Sequence, residues 1–285
     1  MTEPLADRTH VVAVVPAYKP GPNLRELVEA LAAQVAWTVV VDDGSPTRPD
    51  IPPKAAVVVR HDTNRGIAAA LNTGIREALA DGDAVALLTV DQDSEVPAGF
   101  VQRLLDAWRD AESAGVQVGL VAPQKVTGQP DQRAGWPPIQ SGQLIPATTV
   151  RHVGDFDERL VIDGVDDDYA LRCLDAGLAV VIAAQAALGH CLGDTHEVTI
   201  AGRSLTLTQS APFRYYYLTR NRIRLIRLHG RKHPRWAARQ VVGLAGHMGM
   251  VMVFGPQRGA RARETWRGVR DGLLGRTGPR QDIRP

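Results

Sequence analysis

The 285-residue sequence predicts an α/β fold built on a doubly wound, mostly parallel sheet. Short β-branched apolar runs alternate with helical patterns through the first half, the mark of repeated strand–helix units. In such sheets ligands sit outside the carboxyl ends of the strands. Four segments reach that edge here: Pro16–Lys19, Asp42–Ser45, Asn64–Gly66 and Asp91–Ser94, three of them carrying acids or polar amides.

The elements follow in order. Val11–Val15 is a buried strand ending at Pro16. Asn23–Ala33 reads as a helix, with Leu24, Leu27, Val28 and Leu31 at i, i+3, i+4, i+7 and Asn23 as its cap. Thr38–Val41 is a second strand, stopped by Asp-Asp-Gly-Ser, and a Pro-rich loop leads to a strand over Ala56–Arg60. Ile67–Leu79 is helical, Ala84–Val90 a buried strand, Phe100–Ala111 a helix and Val116–Ala122 a strand. Beyond Pro123 the pattern loosens into a Gly/Pro-rich loop over Thr127–Ile139. Val161–Gly177 joins acids to a helix-like tail, Ala179–Ala184 is a strand, and Arg214–His229 is a basic helix. No internal repeat or clear linker interrupts the chain.

Composition excludes several classes. With 44% hydrophobic and 22% charged residues the chain is neither disordered nor collagenous. Cys173 and Cys191 cannot staple a chain of this size, so a reducing cytoplasm is expected. The N-terminus lacks the basic and apolar regions of a signal peptide. The most apolar stretch, Val241–Phe254, is short for a spanning helix and reads as a core or interfacial segment. The formal net charge of +2 conceals an asymmetry: residues 1–202 hold 15 Lys+Arg and 28 Asp+Glu, residues 203–285 hold 18 and 3. An acidic body with a basic tail points to nucleic acid or an anionic membrane as partner.

The chemistry gathers at acids. Asp91 and Asp93 follow a buried strand, and in an extended segment residues i and i+2 share a face, so both carboxylates address one divalent cation. Asp42 and Asp43 follow another strand, where an Asx-turn before Gly44 is the simpler reading. Asp163, Asp166, Asp167 and Asp168 precede a helix whose dipole stabilises them, yet their mutual repulsion suggests a cation or a proton-transfer task. His190 is either a metal ligand or a core histidine. No nucleophile-elbow, zinc, P-loop or dinucleotide fingerprint is present, and adjacent residues such as His190 and Cys191 rarely aim at each other on a strand.

Taken together the sequence resembles a family-2 glycosyltransferase of the GT-A fold. The resemblance runs in order through VVPAYKPGPNL at 14–24, VVDDGS at 40–45, NRGIAAALNTGI at 64–75, LLTVDQDS at 87–94, SGQLIP at 141–146, VGDFDERLVIDGVDDDYALR at 153–172 and GHCLGD at 189–194. The DQDS form and FRYYYLTRNRIRL at 213–225 are similar to the rhamnosyltransferase branch. The resemblance implies a Rossmann-like sheet with helices on both faces and a C-terminal helical extension. Residues 1–205 would form the nucleotide-sugar-binding and catalytic domain. Residues 206–285 would form a basic helical region on the acceptor and membrane side, packed on the same domain.

Carried over residue by residue, the resemblance implies that Pro16, Ala17, Tyr18, Asp42, Asp43, Asn64, Arg65, Gly66, Asp91 and Gln92 bind the nucleotide sugar. Asp91, Asp93 and His190 would hold Mg²⁺ or Mn²⁺; Asp166 would be the general base and Asp168 a second acid. Ser141, Gly142 and Arg220 would face acceptor or diphosphate. The implied reaction is inverting transfer from dTDP-β-L-rhamnose to a cell-surface glycan, often on a polyprenyl diphosphate, with UDP-galactofuranose or another UDP-hexose as the alternative donor. The enzyme would be cytoplasmic and peripheral on the inner face of the cell membrane, without nucleic acid; a homo-oligomer is compatible. A different class of reading is a non-catalytic nucleotide- or nucleic-acid-binding module in which the arginines of the tail hold phosphates and Tyr215, Tyr216 and Tyr217 stack on bases. Helical spacing of Leu218, Ile223, Leu225, Ile226 and Leu228 favours instead a buried face on that helix.

Overall fold

In the computed structural model, which describes residues 10–52, 55–190, 195–200, 203–208, 210–254 and 257–280, the first apolar run becomes an inner strand of an eight-stranded sheet. This strand, β1 (Val11–Ala17), is buried along its whole length. It pairs in parallel with β2 (Trp37–Asp42) on one side and β4 (Ala86–Thr89) on the other. β3 (Val57–Arg60) extends the sheet beyond β2, and the helices α1 (Asn23–Ala32) and α2 (Ile67–Ala78) connect β1 to β2 and β3 to β4. The strand order β3-β2-β1-β4 reverses between β1 and β4, so their carboxyl ends open the crevice where open α/β sheets bind ligands.

Beyond β4 the sheet changes direction. β7 (Gln143–Pro146) lies antiparallel between β4 and β6 (Val118–Val126), and β8 (Ala179–His190) runs parallel to β6. The two-residue β5 (Ser94–Glu95) pairs antiparallel with the end of β8. Helices α3 (Phe100–Ser113), α4 (Ala147–Val153) and α5 (Val165–Asp175) complete this part of the fold. One apolar cluster is built on the sheet residues Val11, Ala13, Val15, Val40 and Leu88. Leu24, Leu27, Val28 and Leu31 of α1 and Phe100, Leu104 and Leu105 of α3 join it.

Several expectations need correction. Asn23 is the first residue of α1, with Pro22 at the cap and no side-chain cap bond. β8 continues six residues past the expected end at Ala184. β7 forms within SGQLIP and α4 directly follows it, both unannounced, because the short run QLIP carries too little periodicity to separate strand from loop. In α2 a glycine is required by space rather than by backbone angle. A Cβ on Gly74 would lie 2.4 Å from Val14 Cγ1 and 3.1 Å from Val41 Cγ2, so the helix rests directly on β1 and β2.

Among the described residues the chain divides into two compact units, Met1–Glu158 with Val165–Cys191, and Arg159–Gly164 with Leu192–Pro285. The second contains the β9 (Thr195–Ile200) and β10 (Arg203–Thr208) hairpin and the helices α6 (Pro212–His229), α7 (Pro234–Phe254) and α8 (Arg258–Leu273). Its interior is polar. The buried face of α6 includes Tyr215, Tyr216, Tyr217, Arg220 and Asn221; of the five aliphatics expected there only Leu225 is buried, and Leu228 is exposed. Arg220 spends its guanidinium on the carbonyls of Arg159, Leu160 and Gly278 and on Asn221 Oδ1, and lies over the rings of Tyr216 and Tyr217. Asn221 Nδ2 donates to the carbonyls of Leu160, Ile162 and Asp163 at 2.7–2.9 Å. These bonds hold a loop in which Val161 and Asp163 both have positive φ, 68° and 63°. No described helix is long and apolar enough to cross a membrane.

Urea titration reads the worth of both contacts. Gly74→Ala forces a methyl into Val14 and should lower unfolding free energy by about 1–3 kcal/mol. Asn221→Ala takes the amide donor from the Ile162 and Asp163 carbonyls of a strained loop, while Leu160 keeps Arg220, and should cost about 1–3 kcal/mol by the same measurement.

Candidate active site

The carboxyl ends of β1 and β4 are tied by one side chain. The Tyr18 N–H donates to Gln92 Oε1 at 2.8 Å, and Gln92 Nε2 donates back to the Tyr18 carbonyl at 3.2 Å. Gln92 thus fixes the mouth of the crevice with both ends of its amide. It sits in a turn rather than an extended segment, since the Ser94 N–H closes onto the Asp91 carbonyl at 3.1 Å. Strand alternation therefore does not pair Asp91 with Asp93; a tight turn, not a pleat, sets their spacing. Ser141, 1% exposed, accepts the Asp91 N–H at 3.0 Å and pairs with Ser94 Oγ at 2.8 Å. Gly142 donates its N–H to the Thr89 carbonyl at 2.7 Å. Both residues, expected to face acceptor or diphosphate, anchor the acidic turn from behind.

The second strand end is organised around two buried acids. Asp42 accepts the Ser45 N–H at 3.0 Å, the Asx-type bond expected before Gly44, and an ion pair from Arg60 at 2.6 Å. Asp43 receives His61 Nδ1 at 2.7 Å and the Arg65 N–H at 2.9 Å on one oxygen, and the Gly66 N–H at 2.8 Å on the other. It caps α2 from 23 residues upstream, in place of any local cap side chain. Gly66 has φ 95° and ψ 163°, a conformation essentially reserved for glycine. Pro16 and Ala17 belong to β1 itself. Asn64 Oδ1 is buried and has no hydrogen-bond partner among the described residues. Beside these strand ends a cleft of about 590 Å³ is lined by Lys19, Leu24, Arg25, Ser45, Arg48 and Asp50.

Electrostatics sort the acid cluster. Asp168 is buried and paired with Arg172 at 2.8 Å, one helical turn on. Arg172 also donates to the carbonyls of Val153 and Asp155. Asp163 is paired with Arg214. Asp166 Oδ1 accepts the Asp167 N–H at 2.9 Å, and both residues are half-buried. Two of the four acids are thus neutralised by arginines, one at helical i, i+4 spacing and one 51 residues away. On the other side Asn72 of α2 exchanges both amide groups with the Phe156 backbone and donates to Glu158, which also pairs with Arg65. Beneath the start of α5, Tyr169 stacks on Phe156 at 4.3 Å, and burial raises its phenol pKa. Burial also pushes the Cys173 thiol up to about 12, which removes it as a nucleophile at neutral pH. Cys191 lies outside the described residues.

The resemblance implies a divalent cation at Asp91, Asp93 and His190. Among the described residues no group of three His, Cys, Asp or Glu could hold a metal ion. The donor set still suits one. Two carboxylates on one anchored turn match Mg²⁺ or Mn²⁺, because Mg²⁺ takes one or two carboxylates and completes its shell with water and substrate phosphates. The His190 backbone pairs with Ser94, next to Asp93, while its side chain lies outside the described residues.

Comparison with known proteins places this arrangement. Residues 12–161 match the model of the family described as Glycosyl transferase family 2. The chain belongs to that family. It is a glycosyltransferase, with a nucleotide-sugar donor and a glycan acceptor. It is also similar to "dTDP-rhamnosyl transferase RfbF" of Shigella flexneri, 30% identical over 245 residues, covering 77% of this chain and 80% of that one. Among solved structures it is similar to S. aureus TarS, with TM-score 0.53 and 14% identity over 87% of this chain, of which it spans only 44%. TarS 1–349 gives TM-score 0.50 at 13% identity, with 93% of this chain and 92% of that one covered. At such identity the two structures speak for the fold alone.

In this glycosyltransferase, Arg220 stands apart from the expected site residues: it is 1% exposed, with its donors spent on carbonyls of its own unit and on Asn221. Tyr215, Tyr216 and Tyr217 are equally buried, which removes the stacking surface that a nucleic-acid-binding module would need. Arg60 and His61 shape the site without any local signal in the sequence. Only the buried environment of their partners reveals them. Ser141→Ala removes the acceptor of the Asp91 N–H; titration calorimetry with a nucleoside diphosphate and Mg²⁺ should show binding weakened about tenfold, one hydrogen bond's worth.

Proposed function

We propose that this glycosyltransferase moves L-rhamnose from dTDP-β-L-rhamnose to a growing cell-surface glycan, by a single displacement that inverts the anomeric centre. The observation that carries the donor is the 30% identity to the dTDP-rhamnosyl transferase over most of both chains. The acceptor in this reading is carried on a polyprenyl diphosphate, and the enzyme works peripherally at the cytoplasmic face of the membrane.

Asp166 is the base of this reading. Asp168 is held by Arg172, so its carboxylate is committed to orienting α5, whereas Asp166 stands half-buried in the first turn. A carboxylate takes an acceptor proton when it lies within hydrogen-bond reach, without a large pKa shift. Asn64 offers its buried Oδ1 to a donor on the base, while Asp42 and Asp43 hold the backbone that frames it. Asp91 and Asp93, joined in this reading by His190, would hold Mg²⁺ or Mn²⁺. When bound, the metal supplies Lewis-acid stabilisation to the charge developing on the leaving diphosphate. Gln92 keeps that turn in register with Tyr18.

Thermal-shift screening tests the donor. Ligands that bind only the folded state raise the melting temperature, so dTDP-rhamnose with Mg²⁺ should stabilise more than UDP-galactofuranose, UDP-glucose or GDP-mannose. A larger shift with a UDP sugar would overturn the donor assignment. Asp166→Asn should lower transfer at least about a thousandfold, within the range for removing a general base, while leaving the dTDP-rhamnose thermal shift intact. Equal loss of both would instead make Asp166 a binding or folding residue.

A further inference from the structure

Helix α7 carries an apolar face that no described residue of its own unit covers. Val251 is fully buried and Trp236 nearly so, which fixes the inward side of the helix. Ala238, Val241, Val242, Ala245, Gly249 and Val253 are all exposed. At 100° per residue these six fall within about 120° of arc, a continuous stripe on the outward side. Val242 is 72% exposed and Val253 56%. No charged residue interrupts the helix from Val241 to its end. The N-terminal end of the same stripe is cationic, with Arg235 and Arg239 exposed and Arg231 and Lys232 just before the helix.

Solvent alone is a poor partner for this helix. Gly243, Gly246 and Gly249 have open space where a side chain would stand, so packing does not demand them. Each lowers helix propensity relative to alanine. Exposed valines add a further, smaller penalty. The next helix repeats the mixture outside: on α8, Arg263, Trp266 and Arg270 are exposed at i, i+3, i+7, with Leu273 completing the face, and Trp266 is 73% exposed. Arginine and tryptophan alternating with aliphatics mark segments that lie at a lipid headgroup boundary. Residues 203–285 also carry 18 Lys+Arg against 3 Asp+Glu, the charge that complements an anionic surface.

We infer that the outward stripe of α7 docks this unit on an anionic lipid bilayer, with its valines at the acyl boundary and the neighbouring arginines at the phosphates. The helix, 21 residues and about 31 Å long, lies along the interface rather than across it. The inference deepens the membrane-facing part of the proposed function and rests on it only for its purpose. Its test uses no donor or acceptor, so either can fail without the other.

The test is flotation of the full chain with vesicles of phosphatidylcholine alone or with about 30% phosphatidylglycerol, an anionic lipid. The parent should float with the anionic vesicles and only weakly with the neutral ones. The double variant Val242→Asp/Val253→Asp should reduce flotation at least about tenfold while melting as the parent does, because both positions are exposed. Part of the parent's binding should also survive about 0.5 M NaCl, where purely electrostatic attachment is screened away. A parent that never floats overturns the inference, as does a double variant that floats like the parent. So does a parent that is dimeric by light scattering, does not float, and becomes monomeric in the double variant; a second copy would then cover the stripe.

Discussion

The carboxylate of Asp43 is the point on which the first unit is assembled. It leaves the end of β2, collects two backbone N–H groups at the start of α2 and a ring nitrogen of His61 beyond β3. A buried acid stripped of its partners would be left with an uncompensated charge, which costs about 3–5 kcal/mol. Three elements distant in sequence are thereby set to one geometry. From α2 the constraint passes onward: Asn72 grips the Phe156 backbone, Arg172 grips the same segment from α5, and Asp166 and Asp168 begin that helix. The acidic turn is tied separately, through Gln92 to Tyr18 and through Ser141 to the residues ahead of β7.

Much of this frame is legible in the sequence because buried parallel strands and amphipathic helices have distinct periods. The four apolar positions of α1 are its four buried residues. Strand ends predict the crevice, and the acids lie at those ends. What escapes is carried by partnership rather than period. Nothing local marks Arg60 as the partner of Asp42, or Ser141 as the acceptor for the Asp91 N–H. Alternation is the default after a strand and predicts an extended Asp91–Ser94, whereas one backbone hydrogen bond turns the chain there.

The basic C-terminal unit reverses the usual reading of its composition. An arginine-rich helix suggests a surface waiting for phosphates, yet α6 turns Arg220 inward among tyrosines and carbonyls. Guanidinium tolerates this because it is planar, weakly hydrated and able to satisfy several acceptors at once. Most aliphatic positions of the same helix are left half-buried or exposed in exchange. The helical pattern of apolar residues misleads here because aromatic, arginine and asparagine side chains form the interior.

The loop from Arg159 to Gly164 has a topological consequence. It belongs with the C-terminal helices, held by Arg214, Arg220 and Asn221, but it is spliced between Glu158 and Val165 of the first unit. The chain leaves one unit, visits the other for six residues and returns just ahead of Asp166. The two units are therefore not beads on a string. Neither unit is one continuous stretch of the sequence, so no single cut separates them intact.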